Sequence, residues 1–188
     1  MSETTSSGPL SGKTVAFLVA SEGIEQVELT EPWKAVQEAG GTPVLVAPDG
    51  SDSVQAFNHL DKGDTFPVDT PLSSADPQQF DGLVLPGGVA NPDALRTQPN
   101  AVAFVTAFAT GGKPIAVICH GPWTLVEADV VRGRTLTSWP SLATDLRNAG
   151  ATWTDEDVVV CTGGPGPIVS SRKPDDLPAF TKTLVEVF

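Results

Sequence analysis

The sequence predicts an α/β domain built on a mostly parallel central sheet, and three observations carry that expectation. Strand and helix signals alternate along the chain, the pattern that lays helices over both faces of a parallel sheet. The apolar runs at 14–20 (TVAFLVA), 80–85 (FDGLVL) and 114–118 (PIAVI) are too short and too apolar for amphipathic helices, and read as buried strands. Two of these runs stop abruptly at turn residues, Pro86-Gly87-Gly88 and Cys119-His120-Gly121-Pro122. A length of 188 residues gives one domain a sizeable core and is short for two. Residues 1–12, rich in Ser, Thr and Gly, are expected as a flexible tail, and residues 13–188 as the single domain.

Each element follows from local chemistry. After the first strand, residues 27–39 form a helix closed by Gly40-Gly41. Pro32 is awkward inside it, which suggests a start near Leu29, with Glu25 and Glu28 in the loop and first turn. Residues 43–47 are the second strand. The polar, Gly-punctuated stretch 54–68 reads as a hairpin against the sheet edge, and 80–85 as the central strand. A helix at 100–109 precedes the strand at 113–118. Pro122 then suits the first turn of a short helix. A strand at 135–137, a helix at 141–149, strands at 158–161 and 168–171, and a closing helix at 175–188 complete the chain.

Composition excludes several function classes. The formal net charge of −12 offers nothing to neutralise phosphates, so no nucleic acid partner is expected. No segment is apolar over a membrane's thickness, and residues 1–12 lack the apolar core of a secretory signal. The two cysteines, Cys119 and Cys161, have no disulfide-framework spacing and suit a reducing, cytoplasmic setting.

In an open parallel sheet, ligands bind beyond the carboxyl ends of the strands. Three such ends carry chemistry here: Glu25 and Glu28 after the first strand, Gly87, Gly88 and Asp93 after the central one, Cys119 and His120 after the next. Cys119 sits at a strand-to-helix turn resembling a nucleophile elbow, where unpaired N–H groups and the helix dipole favour thiolate. The alternative is a buried cysteine filling apolar space. His120 is placed to exchange a proton with the sulfur, and its N–H could serve an oxyanion hole with that of Gly88; otherwise it is a core histidine. Glu28, and less directly Glu25, could donate from a protonated carboxyl to the thiolate, or simply complement the helix dipole. Asp93 either orients His120 as third member of a triad or caps a short helix. Cys161 reads as structural, His59 as a surface or rim residue, and Gly163-Gly164-Pro165-Gly166 as a hairpin turn. A metal site of Cys119, His120 and Glu28 would bunch its ligands with no second histidine, so no metal is expected. Nor is a cofactor: Ser21-Glu22-Gly23 lacks the glycine fingerprint of a nicotinamide enzyme.

Four stretches in order resemble the DJ-one/PfpI superfamily, within the class I glutamine amidotransferase-like fold, and specifically its PfpI intracellular-protease branch. They are ASEGIEQVEL at 20–29, LVLPGG at 83–88, ICHGP at 118–122 and SSRKPDDL at 170–177, and the resemblance covers about residues 13–188. It implies a flavodoxin-like three-layer sandwich, a nucleophilic Cys119, a partner His120, and a protonated Glu28 bonded to the thiolate. It also implies a homodimer or higher homo-oligomer in which the acidic member of the triad comes from a neighbouring chain. Asp93 falls at that position, where archaeal proteases of the family carry the longer Glu.

The function expected from this reading is a cytoplasmic stress-response hydrolase of glyoxalase or deglycase type. Cys119 would attack a small carbonyl substrate or a glycated protein, with Gly87, Gly88 and Glu25 about the substrate and its oxyanion. Two alternatives belong to other classes: an oxidative-stress redox sensor acting through Cys119 oxidation, and an intracellular cysteine peptidase.

Overall fold

The structure, a computed structural model, describes residues 7–188. Of the expected tail, residues 1–6 lie outside the described residues, and the part from 7 onward is folded. Leu10 is buried, and its N–H donates to the Ala39 carbonyl at 2.9 Å, which docks this segment on the end of the first helix.

The chain opens with strand β1 (Thr14–Leu18), then a short strand β2 (Glu22–Glu25) that passes directly into helix α1 (Gln26–Glu38). The helix begins three residues before the expected start, because it accommodates Pro32 internally. The missing donor there leaves the Glu28 carbonyl, still in the first turn, without its i+4 partner. Strand β3 (Thr42–Ala47), the hairpin β4 (Ser53–Asn58) and β5 (Asp61–Pro67), and the edge strand β6 (Thr70–Pro71) follow. The central β7 (Gly82–Leu85) leads through helices α2 (Ala90–Leu95) and α3 (Pro99–Thr110) to β8 (Ile115–Ile118). Helix α4 (Pro122–Glu127), β9 (Thr135–Leu136), α5 (Ala143–Asn148) and β10 (Thr152–Trp153) come next. Strands β11 (Val159–Cys161) and β12 (Ile168–Ser171) and helix α6 (Leu177–Val187) end the fold.

The central sheet has seven strands in the order β11-β12-β8-β7-β1-β3-β6, all parallel except for the antiparallel β11 on β12. Two-residue periodicity divides its side chains between two cores. Ala16, Leu18, Leu83, Leu85, Ile115 and Val117 meet α3, α4 and α5 on one face. On the other, Val15, Phe17, Val84 and Ala116 meet Leu29 and Val36 of α1 and Phe180 and Leu184 of α6. This is the expected α/β three-layer sandwich.

One placement differs from the expectation. The hairpin does not lie on the edge of the central sheet, which β6 takes beside β3; it joins β2 in a separate three-stranded sheet, β2-β4-β5. The extended segment before α1 carries backbone groups that need partners, and β4 supplies them. This small sheet brings the hairpin tip over the carboxyl end of the central strands. The strand expected at 135–137 likewise pairs outside the main sheet, with β10.

Candidate active site

Cys119 leaves the end of β8 with φ 64°, in the left-handed region that costs a side-chain-bearing residue about 1–2 kcal/mol. The conformation is pinned from both sides. The Cys119 N–H donates to the Ser171 carbonyl of β12 at 3.1 Å, and the Cys119 carbonyl accepts from the Trp139 N–H at 2.9 Å. The following Gly121 is required by crowding: a Cβ there would sit 2.8 Å from Val117 Cγ2 and 2.9 Å from the Leu85 carbonyl oxygen. Pro122 then opens α4, as its fixed φ favours. The turn sets the Cys119 Sγ 3.1 Å from His120 Nδ1, so the two neighbouring side chains do meet.

Glu28 is fully buried against this pair, and neither of its carboxyl oxygens has a hydrogen bond of full geometry among the described residues. Burial, reinforced by the nearby charge of Glu25, pushes its pKa up to about 8, against the weaker pull of the Cys119 thiol and the Gly87 and Gly88 N–H groups. The site holds its acid protonated at neutral pH. Gly87 is what allows the close approach: a Cβ at this position would lie 2.5 Å from Glu28 Oε1 and 2.6 Å from Cys119 Cβ.

The expected pull of the turn's N–H groups toward thiolate is opposed by burial. Burial pushes the Cys119 thiol up, and Glu28 adds to this by its charge only where it is ionised, while the Gly88 and His120 N–H groups act in the opposite sense. Only 6 % of Cys119 is exposed, and the lost hydration outweighs those two amides. Burial also lowers the pKa of His120. Burial thus disfavours the charged form of both partners, thiolate and imidazolium alike.

A cleft of about 850 Å³ opens over Cys119 and His120, and Glu25, Glu28 and Gly88 line it. The Glu25 carboxylate accepts from the His59 N–H at 3.1 Å, which fixes the tip of the β4–β5 hairpin against the site. His59, in a left-handed turn of φ 62°, reaches the cleft as the rim residue expected. Asp93 is not brought to His120 within the chain: it is exposed on α2, lies outside the cleft lining, and makes no side-chain hydrogen bond or ion pair among the described residues. Cys161 lies away from the cleft, its Sγ accepting from Arg134 Nε at 3.2 Å and from the Thr135 N–H at 3.4 Å.

Sequence reasoning passed over three contributors. Asn91, fully buried, accepts from the Ala20 N–H at 2.7 Å and donates to the Pro86 and Gly87 carbonyls, both at 3.0 Å. It thereby ties the end of β1 to the turn that carries Gly87 and Gly88. Trp139 stacks on His120 and lines the cleft, and Lys173 stands at its mouth. A lone Asn or Trp carries no motif; Lys173 lies within the 170–177 stretch but was given no role.

A buried carboxyl, a cysteine in a forced left-handed turn and a histidine on its sulfur, gathered at the carboxyl end of a parallel sheet, define an α/β protein with an elbow cysteine. Its sequence matches the DJ-1/PfpI family over residues 13–187, and the chain belongs to that family. It is 38 % identical to the protein/nucleic acid deglycase 2 of Escherichia coli over 171 residues, covering 90 % of this chain and 94 % of that protein. To general stress protein 18 of Bacillus subtilis it is 37 % identical over 171 residues, covering 91 % of this chain and 95 % of that protein. Among solved structures, a two-domain protein from Anabaena variabilis with DJ-1/ThiJ/PfpI-like and ferritin-like domains superposes with a TM-score of 0.83 at 32 % identity. That match covers 93 % of this chain and 47 % of the larger protein.

Proposed function

We propose that this protein is a stress-response hydrolase of glyoxalase or deglycase type that uses Cys119 as nucleophile on small carbonyl electrophiles and glycated side chains. The observation that carries the reading is the Cys119 Sγ to His120 Nδ1 contact of 3.1 Å at the floor of an open cleft. The names of the two relatives, a deglycase and a stress protein, support it.

The chemistry starts from the neutral pair that burial favours. Sγ adds to the aldehyde carbon of methylglyoxal, the carbonyl π bond opens, and the thiol proton passes through His120 Nδ1 to the oxygen, giving a hemithioacetal. Moving the aldehydic hydrogen to the neighbouring carbon as a proton, through an enediol, converts this adduct to a thioester. Water then hydrolyses the thioester to lactic acid and the free thiol, so the overall change is addition of water with no external oxidant. Protonated Glu28 steadies the sulfur whenever it carries charge, and the Gly88 and His120 N–H groups hold the developing negative charge.

The redox alternative is less favoured, because burial works against the standing thiolate that a peroxide sensor needs. Methylglyoxal consumption by reduced protein, beside its Cys119→Ser variant, tests the reading. Turnover in the parent and none in the variant is expected. No turnover in either removes the carbonyl reading and leaves Cys119 oxidation or peptide cleavage as the role of the site.

A further inference from the structure

Among the described residues no acidic side chain bonds the His120 ring, and its one side-chain hydrogen bond is to Cys119. Its ring is held by aromatics instead. The Trp139 indole stacks on it with centroids 5.6 Å apart and planes 23° from parallel, and Trp123 meets it edge-on at 5.2 Å and 65°. The Trp139 backbone and the Trp123 indole are each held in turn. The main-chain N–H of Trp139 donates to the Cys119 carbonyl, and its main-chain carbonyl accepts from Ser138 Oγ at 2.8 Å, so the backbone that carries the ring is anchored beside Cys119. The Trp123 Nε1–H donates to Asp145 Oδ2 at 2.9 Å, and the Arg96 guanidinium lies 5.7 Å over its ring.

We propose that Trp139 is a positioning residue for His120, doing through its ring face what a triad carboxylate does through a hydrogen bond. This rests on the reading of Cys119 as the nucleophile. A triad acid has two tasks: it keeps the imidazole in one orientation, and it stabilises the imidazolium formed when the histidine takes the proton. The stacked indole performs the first by contact, since a ring sandwiched between Trp139 and the edge of Trp123 cannot turn Nδ1 away from Sγ. It performs the second because its electron-rich face attracts a cation, and a cation exists there only after proton transfer. That attraction is absent from the neutral pair and present during attack, so it lowers the barrier rather than merely binding the ground state. The same N–H that anchors Trp139 accounts for the bond to the strained Cys119 peptide, so nucleophile, base and stacking ring form one unit.

The test measures Cys119 alkylation by iodoacetamide, a small neutral probe whose reaction does not depend on methylglyoxal being the substrate. The panel is Trp139→Phe, Trp139→Leu and each of these in a His120→Gln background. Trp139→Leu keeps bulk without a ring face, and its alkylation is expected to fall about tenfold, equivalent to 1.4 kcal/mol. Trp139→Phe restores a face and is expected within about threefold of the parent. In the His120→Gln background the two Trp139 changes should have no further effect, because the residue acts through the imidazole. Equal slowing by Phe and Leu, or an undiminished effect without His120, overturns the proposal. Loss of methylglyoxal turnover with an intact alkylation pattern would instead count against the proposed substrate alone.

Discussion

A carboxyl buried as Glu28 is keeps its proton through a pH range in which the unfolded chain releases it. Between the ordinary value of 4.5 and its folded value of about 8, the native state binds the extra proton, so stability falls as pH rises. The stabilisation is fully present below pH 4.5 and is lost once the pH passes about 8; over that window the shift is equivalent to about 5 kcal/mol. Glu28→Gln carries no proton to lose, so across this window the parent's melting temperature should decline by roughly 10 °C relative to the variant's. His120, held below its usual value, gives the opposite slope, and that contribution cancels between parent and variant. Parallel pH slopes for the two proteins would show that Glu28 is ionised in the fold. The backbone beneath Cys119 makes a second test. With φ at 64°, Cys119→Gly should be more stable than Cys119→Ala by about 1 kcal/mol, read from urea midpoints, since only glycine relieves the left-handed strain. The identity of Cys119, His120 and Glu28 as a group was legible because each follows a strand end. A protonated Glu28 was among the expectations, and the raised carboxyl accords with it; the opposing pull of burial on Cys119 was not legible, because distant segments supply that burial.

The elements around the site are set by turns that tolerate no added atoms. Gly87→Ala should be far more damaging than its size suggests, since its Cβ would meet Glu28 Oε1, Cys119 Cβ and, at 2.9 Å, the Ile118 carbonyl oxygen together. We expect a loss of about 1–3 kcal/mol in chemical unfolding and a collapse of Cys119 alkylation, because the carboxyl or the sulfur must move. Unchanged alkylation would mean the turn can yield without disturbing the pair. Asn91→Ala removes three buried hydrogen bonds at once and leaves the Ala20 N–H without its acceptor. A loss of about 2–4 kcal/mol is expected from the same measurement. These turns also show where sequence reading succeeds and fails. The strands β7 and β8 and the Pro-Gly-Gly stop were legible because apolar runs and turn residues act locally. The strand β2, only four residues with two carboxylates, was not, because its strand character comes from pairing with β4. Asn91 was equally silent, since its value lies in segments 71 and four or five residues away.

At the scale of the whole molecule the open question is what a second copy of the chain contributes. Asp93 projects from α2 beside the exposed Val89 at the cleft mouth, the face where a neighbouring chain would have to meet it if the resemblance's intersubunit acid carries over. Two routes to an oriented His120 then compete: a carboxylate reaching in from the partner, or the stacked Trp139 within the chain. They differ sharply in consequence. A triad acid removed by an amide typically costs about 10⁴ in kcat, whereas a solvated carboxylate at an interface rim costs little. With Trp139 in place the second outcome is expected: Asp93→Asn should keep kcat for methylglyoxal within about threefold, at protein concentrations where sedimentation shows the assembled state. A fall of a hundredfold or more would give the task to the partner, and mixing would settle it. Asp93→Asn retains the nucleophile and Cys119→Ser retains the acid, so hybrid dimers would recover one working site each, roughly a quarter of the parental activity in an equal mixture. Activity recovered on mixing places the acid across the interface; activity never lost leaves the orientation of His120 to the ring above it.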